Sequence, residues 1–135
     1  MNIMFFLKPK AEVNYLYDDN TMIKGLEKMR KHSYTAIPVI DRSGRYVGTV
    51  AQGDFLWKLV DLGSVRNAAS DSVTVKDLMS ENRNQALTTS ASVDDVLMRA
   101  MDQNFVPVVD DRGMFIGIVT RRDILRYFRD INGQL

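Results

Sequence analysis

The sequence contains no cysteine and, among its 135 residues, a single histidine, His32. The missing cysteines exclude disulfides, thiolate nucleophiles and cysteine-based zinc or iron–sulfur sites. One histidine excludes paired-histidine metal motifs, and a Ser-His-Asp triad would have to use His32. The sequence also lacks a P-loop and a G-x-S-x-G nucleophile motif. We therefore predict no metal site, no catalytic residues and a protein that is not an enzyme.

The sequence also has almost equal numbers of positively and negatively charged residues. There are 18 Lys and Arg residues against 17 Asp and Glu, which gives a net charge of +1 at pH 7. Balanced charge predicts neither nucleic-acid nor membrane-surface binding. The longest early apolar run, residues 3–7, is ended by Lys8-Pro9-Lys10 and is too short for a signal peptide or a membrane span. We therefore expect a soluble cytoplasmic protein.

What the sequence does contain is an internal repeat. Residues 38–56 align with residues 107–125 at a shift of 69, and the identical residues are Pro, Val, Asp, Gly, Gly, Val, Asp and Leu. Upstream the shift becomes 71, so the second copy is two residues shorter before its proline. A stretch of small and polar residues, which is typical of a linker, follows the first copy. These patterns predict two repeats, residues 1–65 and residues 66–135, that form one module.

The residue pattern of each copy predicts the element order β-α-β-β-α. The hydroxyls of Thr21 and Ser92 are suitable N-caps for the first helix of each copy, and apolar residues then follow at helical spacing. Asp and Gly three residues apart mark each hairpin turn. The predicted strands are residues 13–17, 37–40 and 46–50 in the first copy, and residues 85–88, 106–109 and 115–119 in the second. The fold class is therefore mixed α/β, with repeats related by a pseudo-two-fold axis and packed on each other, since fifty residues alone bury too little surface.

The duplicated unit, with Pro-Val-hydrophobic-Asp followed by Gly and, six residues later, Asp, resembles a tandem pair of CBS domains, the Bateman module. The resemblance implies a regulatory module without catalytic activity that binds an adenosyl nucleotide of the AMP, ADP or ATP type in the cleft between the repeats. It also implies a homodimer, an unidentified downstream partner protein and no required cofactor besides the nucleotide ligand.

A narrower resemblance is carried by Tyr34-Thr35-Ala36-Ile37-Pro38, Asn104-Phe105-Val106 and Gly117 to Arg122. These segments look like small stand-alone CBS proteins of Gram-positive bacteria that bind cyclic di-AMP. The Asp123 that follows is instead typical of mononucleotide-binding CBS domains. A cyclic di-AMP receptor is therefore an alternative. A ligand-free dimerisation or interaction module is a second alternative, which Ala51 favours because it lacks the hydroxyl of Thr120.

Thr120 and Asp123 are the central predicted ligand residues, because the resemblance implies that Asp123 accepts hydrogen bonds from ribose hydroxyls and Thr120 bonds ribose or phosphate. The alternative is a capping box that stabilises the helix without a ligand. In the first copy the same positions are Ala51 and Asp54. Asp54 retains a carboxylate for ribose, but Ala51 offers no hydroxyl. We therefore predict unequal pockets, with the better mononucleotide site at Thr120 and Asp123.

The remaining predicted contacts surround this pair. Arg121 or Arg122 binds phosphate, but neighbouring helical positions cannot both face one site, and the choice between them stays open. Tyr34 stacks on the base or is a surface aromatic, and Phe105 is a core residue or a contact. The complete predicted set of ligand-binding residues is Thr120, Asp123, Arg121, Arg122, Tyr34, Thr35, Ala36, Pro38, Asp54, Asn14, Gln85, Phe105 and Pro107.

Overall fold

The structure, a computed structural model, describes residues 2–80 and 84–133. Its helices are α1 (Met22–His32), α2 (Gln52–Leu62), α3 (Val65–Ala68), α4 (Val93–Ala100) and α5 (Arg121–Gly133). Its strands are β1 (Lys8–Pro9), β2 (Leu16–Tyr17), β3 (Ala36–Ile40), β4 (Tyr46–Ala51), β5 (Leu87–Thr88), β6 (Phe105–Val109) and β7 (Phe115–Thr120). Short 3₁₀ turns cover Ile3–Phe6, Lys10–Glu12 and Val75–Leu78. Both copies follow the predicted β-α-β-β-α order, so the predicted fold class is confirmed.

The described residues form two compact units. The first unit comprises residues 14–80, and the second unit comprises residues 2–13 together with residues 84–133. These units follow packing contacts, whereas the expected halves 1–65 and 66–135 follow the sequence repeat. The two divisions differ at both borders: residues 2–13 pack with the second repeat instead of the first, and residues 66–80 pack with the first repeat instead of the second.

The first unit is a three-stranded sheet in the order β2-β3-β4, with β2 parallel and β4 antiparallel to β3. Helix α1 makes the crossover between the parallel strands, and the hydroxyl of Thr21 caps it by accepting a hydrogen bond from Lys24 N at 3.2 Å. The core joins apolar residues from the strands, from helices α1 and α2 and from the 3₁₀ turn Val75–Leu78. Its most deeply buried side chains are Leu16, Met22, Ile37, Val39, Val50, Phe55 and Val75.

The second unit is a four-stranded sheet in the order β1-β7-β6-β5. Its repeat-derived part matches the first unit, and the N-terminal strand β1 adds antiparallel to the edge strand β7. Ile3 and Phe6 are buried in the core of this unit, which explains why a segment so distant in sequence belongs to it. The other buried core residues are Val96, Ala100, Val106, Val108, Val119 and Ile124. Within the described ranges, no helix is long and apolar enough to cross a membrane.

The first strand of each copy is shorter than predicted. Residues 13–17 were expected as a strand, but only Leu16–Tyr17 pairs with β3. The preceding backbone is bonded otherwise, since Val13 N donates to Lys10 O at 3.1 Å and Tyr15 O accepts from Lys28 Nζ at 2.6 Å. Hydrogen bonds to residues outside the sheet therefore replace the strand pairing that was expected for residues 13–15.

Two of the 3₁₀ turns form a further repeat that the sequence analysis did not recognise. Ile3–Phe6 and Val75–Leu78 lie 72 positions apart (75 − 3), and each buries its first and fourth residue in the core of its own unit. The pattern is apolar-x-x-apolar-apolar, ending in Leu7 and Met79. In each unit this turn packs beside a glycine at a strand bulge, Gly117 in β7 and Gly48 in β4.

Candidate functional site

The junction of β7 and α5 brings Thr120 and Asp123 together. Thr120 is the last strand residue, and its Oγ1 accepts a hydrogen bond from Asp123 N at 3.1 Å. This is the N-cap half of the predicted capping box. The reciprocal half is missing, because the half-buried Asp123 carboxylate accepts no hydrogen bond from residues 2–80 or 84–133. Both oxygens of Asp123 therefore remain available to a ligand.

Asp54, at the equivalent position in the first unit, is held by the protein. Its Oδ2 accepts from Ala51 N at 2.8 Å, and its Oδ1 accepts from Ser80 Oγ at 3.0 Å. The residue is only 6% exposed. These bonds satisfy a buried carboxylate that would otherwise be costly. Asp54 is therefore bonded within the protein, whereas Asp123 has no such bonds among the described residues; the predicted inequality of the two pockets toward a ligand stays a prediction.

Ser80 explains part of this difference. It follows the 3₁₀ turn Val75–Leu78, and the residue 72 positions earlier is Lys8 (80 − 72). The second unit therefore has a lysine, Lys8, where the first unit has the hydroxyl that binds the aspartate. The sequence analysis missed Ser80, and the repeat of the 3₁₀ turns is the signal that could have found it.

The two arginines at the start of α5 have different environments. Arg121 Nε donates to Ala100 O at 2.7 Å, and its Nη1 donates to Asn104 Oδ1 at 3.1 Å. It thereby ties the start of α5 to the end of α4, where a cation also suits the helix dipole. Arg122 is exposed and forms no hydrogen bond or ion pair with any described residue. Of the predicted pair, Arg122 is the one whose guanidinium is available for phosphate.

Tyr34 and Asn14 are neighbours in the first unit. Asn14 Nδ2 donates to the Tyr34 hydroxyl at 2.9 Å, and the Tyr34 ring stacks on His32 with 5.4 Å between ring centroids. Tyr34 also lines a surface depression of about 410 Å³ with Gln52, whose Nε2 donates to Tyr34 O at 3.3 Å. The ring is therefore already stacked before any base approaches.

The segments before β3 and β6 are held alike. Gln52 N donates to Thr35 O at 3.0 Å, and Arg121 N donates to Asn104 O at 2.9 Å. Thr35 is exposed and Ala36 is half-buried, so both remain accessible at the surface. Three predicted residues have side chains buried in their own sheets, namely Pro38, Phe105 and Pro107. Gln85 is exposed, and its Oε1 accepts from Arg99 Nη1 at 3.3 Å.

A second depression, of about 650 Å³, lies along α5. It is lined by Asn104, Arg121, Arg122, Leu125, Arg126 and Arg129. Arg126 and Arg129 were not predicted as site residues, although the spacing of Arg122, Arg126 and Arg129 places them on one helical face. Among the residues that the structure describes, no group of three or more His, Cys, Asp or Glu side chains is arranged to hold a metal ion.

Two units that each follow the order β-α-β-β-α define the class of protein as a duplicated α/β module. The family profile of the CBS domain matches residues 9–61 and 75–130. The chain therefore belongs to the CBS domain family, as a tandem pair.

Three relatives illustrate the similarity. The chain is 26% identical over 125 residues to the cyclic di-AMP receptor B of Bacillus subtilis, covering 90% of this chain and 82% of that protein. CbpB in complex with c-di-AMP has the same fold, with a TM-score of 0.89, 19% identity and coverage of 99% and 88%. CBSX2 in complex with AMP matches with a TM-score of 0.77, 25% identity and coverage of 97% and 98%.

Other relatives are much longer than this chain. It spans 53% of the uncharacterized protein MK0525 of Methanopyrus kandleri and 18% of the L-aspartate semialdehyde sulfurtransferase of Methanocaldococcus jannaschii. In those proteins the segment that matches this chain is one part of a longer protein. The predicted resemblance to CBS proteins related to cyclic di-AMP receptors is confirmed.

Proposed function

We propose that this CBS pair is a regulatory module without catalytic activity, which binds an adenosyl nucleotide of the AMP, ADP or ATP type and transmits that binding to a partner protein. The observation that carries the proposal is the available carboxylate of Asp123. A half-buried carboxylate with no hydrogen-bond donor among the described residues is costly unless water or a ligand supplies one. The repeat-related Asp54 shows that the same fold can supply those donors itself.

The ribose of a mononucleotide fits this carboxylate chemically. Its neighbouring 2′- and 3′-hydroxyls are two donors that one carboxylate can accept side by side. The Thr120 hydroxyl accepts from Asp123 N and keeps its own O–H for a ribose or phosphate oxygen. The start of α5 favours a negative phosphate through its dipole, and Arg122 adds a planar donor fork.

Regulation follows from differential binding. A nucleotide shifts the balance between two arrangements of the protein only as far as it binds one of them more tightly. We propose that a partner protein, or a homodimer of this chain, responds to that shift. The AMP complex of CBSX2 and the regulatory character of CBS pairs support this part of the proposal.

Cyclic di-AMP is the second candidate ligand, because the chain resembles the cyclic di-AMP receptor B of Bacillus subtilis over most of both lengths. The two candidates differ at the ribose. In cyclic di-AMP the 3′-oxygen is part of the phosphodiester ring, so no neighbouring pair of hydroxyls is left. Asp123 therefore matters more for AMP than for cyclic di-AMP.

The test is calorimetric titration of AMP, 2′-deoxy-AMP and cyclic di-AMP into the full chain and into two variants. Asp123→Asn removes the charge while keeping the shape. Asp94→Asn, at an exposed position in the first turn of α4, is the control. We expect Asp123→Asn to weaken AMP at least tenfold, since a hydrogen bond to a charged group contributes about 1.5–3 kcal/mol.

Deleting the 2′-hydroxyl should weaken AMP binding in the wild type and have little further effect in Asp123→Asn. Equal AMP affinity in the wild type and Asp123→Asn would contradict the ribose assignment. Cyclic di-AMP binding alone would identify the second candidate. No binding of any of the three nucleotides would leave the ligand-free interaction module.

A further inference from the structure

The exposed face of α5 is far more basic than the fold requires. At the repeat shift of 69, the positions of Arg121, Arg122, Arg126 and Arg129 correspond to Gln52, Gly53, Trp57 and Val60 in α2. Helix α2 forms with no arginine at any of these four places. The arginines of α5 therefore do not serve a structural need that the repeat shares.

Three of these arginines form a line. Arg122, Arg126 and Arg129 are four and three residues apart, so their side chains share one helical face. At 1.5 Å per residue, the line extends about 10 Å along the helix axis. The exposed Leu125 lies among them, and all four residues line the depression of about 650 Å³. We call this depression the α5 arginine groove.

The groove borders the Asp123 carboxylate but does not include it. Asp123 directly follows Arg122 and lies three residues before Arg126, at the edge of the line of arginines. It is not among the described residues that line the groove. None of the described residues that line the groove carries a carboxylate. The groove therefore has excess positive charge, although the whole chain carries a net charge of only +1.

The guanidinium groups of the groove are available. Arg122 and Arg126 have no hydrogen bond or ion pair within residues 2–80 and 84–133. Arg129 Nη2 lies 3.0 Å from Asp130 Oδ1, but both side chains are well exposed. Such an exposed pair between neighbours in sequence is weak and is readily exchanged for a stronger anion. Only Arg121 is fixed, by Ala100 and Asn104.

We propose that the α5 arginine groove binds an oligophosphate, a chain of linked phosphate groups that is either free or the tail of a nucleotide. Each guanidinium offers a planar fork that matches phosphate oxygens, and a linear series of anionic groups matches a linear series of arginines. A groove about 10 Å long is suited to several phosphates in a row rather than to one. This site shares Arg122 with the proposed nucleotide site, but Arg126 and Arg129 lie outside that site, and binding of an oligophosphate to them does not require the Asp123 carboxylate.

The experiment titrates inorganic tripolyphosphate, ATP and AMP, each in EDTA, into the full chain and two double variants. Arg126→Gln/Arg129→Gln removes two positive charges from the groove. Arg45→Gln/Arg112→Gln removes the same charge from two exposed hairpin turns outside it and serves as the matched control. Neither pair belongs to the proposed AMP site.

We expect the wild type to bind tripolyphosphate and the groove variant to lose about 100-fold in affinity, tenfold for each arginine. The control should lose no more than about threefold, and AMP affinity should stay unchanged in both. A parallel loss for ATP identifies a nucleotide tail as the source, whereas a loss for tripolyphosphate alone identifies a free oligophosphate. The proposal would be overturned if the wild type did not bind tripolyphosphate, or if both double variants lost the same amount of affinity for it. Absent AMP binding would count against the nucleotide site only.

Discussion

Replacing Gly117 by alanine should detach the N-terminal strand from the sheet of the second unit. Gly117 has a φ of +154° and is paired with Pro9 of β1. A Cβ atom built there would lie 2.2 Å from the carbonyl oxygen of Lys8. Backbone atoms cannot rotate away, so the strand itself must move.

The matched control is Gly48→Ala in the first unit. Gly48 has the same φ of +154° and also lies at a bulge of its hairpin, but among residues 2–80 and 84–133 its Cβ would meet only the terminal Cε of Met79, at 2.4 Å. A methionine side chain can adopt another rotamer. Both variants therefore carry the strain of an unfavourable φ, about 1–3 kcal/mol, and only Gly117→Ala adds a backbone collision.

The added cost follows from what β1 holds in place. Moving Lys8 about 1 Å away lengthens the short β1–β7 ladder beyond good hydrogen-bond geometry, and each bond contributes about 0.5–1.5 kcal/mol. The same movement loosens the buried Ile3 and Phe6, whose full burial is worth about 1.5–3 kcal/mol each. Part of this loss is returned as chain entropy. We expect Gly117→Ala to lower the free energy of unfolding by about 2–4 kcal/mol more than Gly48→Ala.

Urea denaturation measures the global difference, and hydrogen exchange locates it. Amides of residues 3–8 should lose protection in Gly117→Ala and keep it in Gly48→Ala. Trypsin cleavage after Lys10 should become faster in the first variant only. Equal destabilisation of the two variants, with unchanged protection of residues 3–8, would refute the argument from the Lys8 contact.

Two further predictions concern the helix starts. Ala51→Thr gives α2 the hydroxyl cap that Thr120 gives α5 and should stabilise the chain by about 1 kcal/mol, seen as a rise in Tm of about 3–5 °C; an unchanged or lower Tm would show that the end of β4 does not accept a cap. The backbone N–H of Ser92 and then its hydroxyl hold the pKa of Asp95 below its usual value. A carboxylate whose pKa is depressed in the folded state stabilises above its unfolded pKa of about 3.9, and this contribution is lost as the pH falls through the folded pKa. Urea midpoints measured from pH 6 to pH 2.5 should therefore fall less steeply for Asp95→Asn than for the wild type, and parallel curves would contradict this cause.

The sequence predicted the repeat, the element order and the capping hydroxyls, because these depend on local patterns. The caps at Thr21, Ser92 and Thr120 are all observed. The sequence did not predict that Ser80 binds Asp54, since the two residues are 26 positions apart and a serine carries no distinctive pattern. The role of Arg121 was left open for a related reason: its partners at Ala100 and Asn104 become neighbours only when the hairpin folds back on α4.

The position of residues 3–9 was missed because a short apolar run has no periodicity to reveal its partner. Only the comparison of Ile3–Phe6 with Val75–Leu78 in the folded chain shows that both are the same packing element. The sequence predicted unequal pockets from Ala51 and Thr120, but the different bonding of the two aspartates became visible only in the structure. Asp54 and Asp123 are identical in the alignment of the repeats, and only their hydrogen bonds distinguish them.

The second unit is assembled from both ends of the described chain, with β1 at one end and β5 to α5 at the other. During synthesis the first unit can therefore fold as soon as residues 14–80 have left the ribosome, while residues 3–9 must wait for β7 before their edge pairing can form. Removing a few N-terminal residues would consequently weaken the second unit, although the rest of that unit is distant in sequence. The first unit, which follows these residues directly, would stay intact.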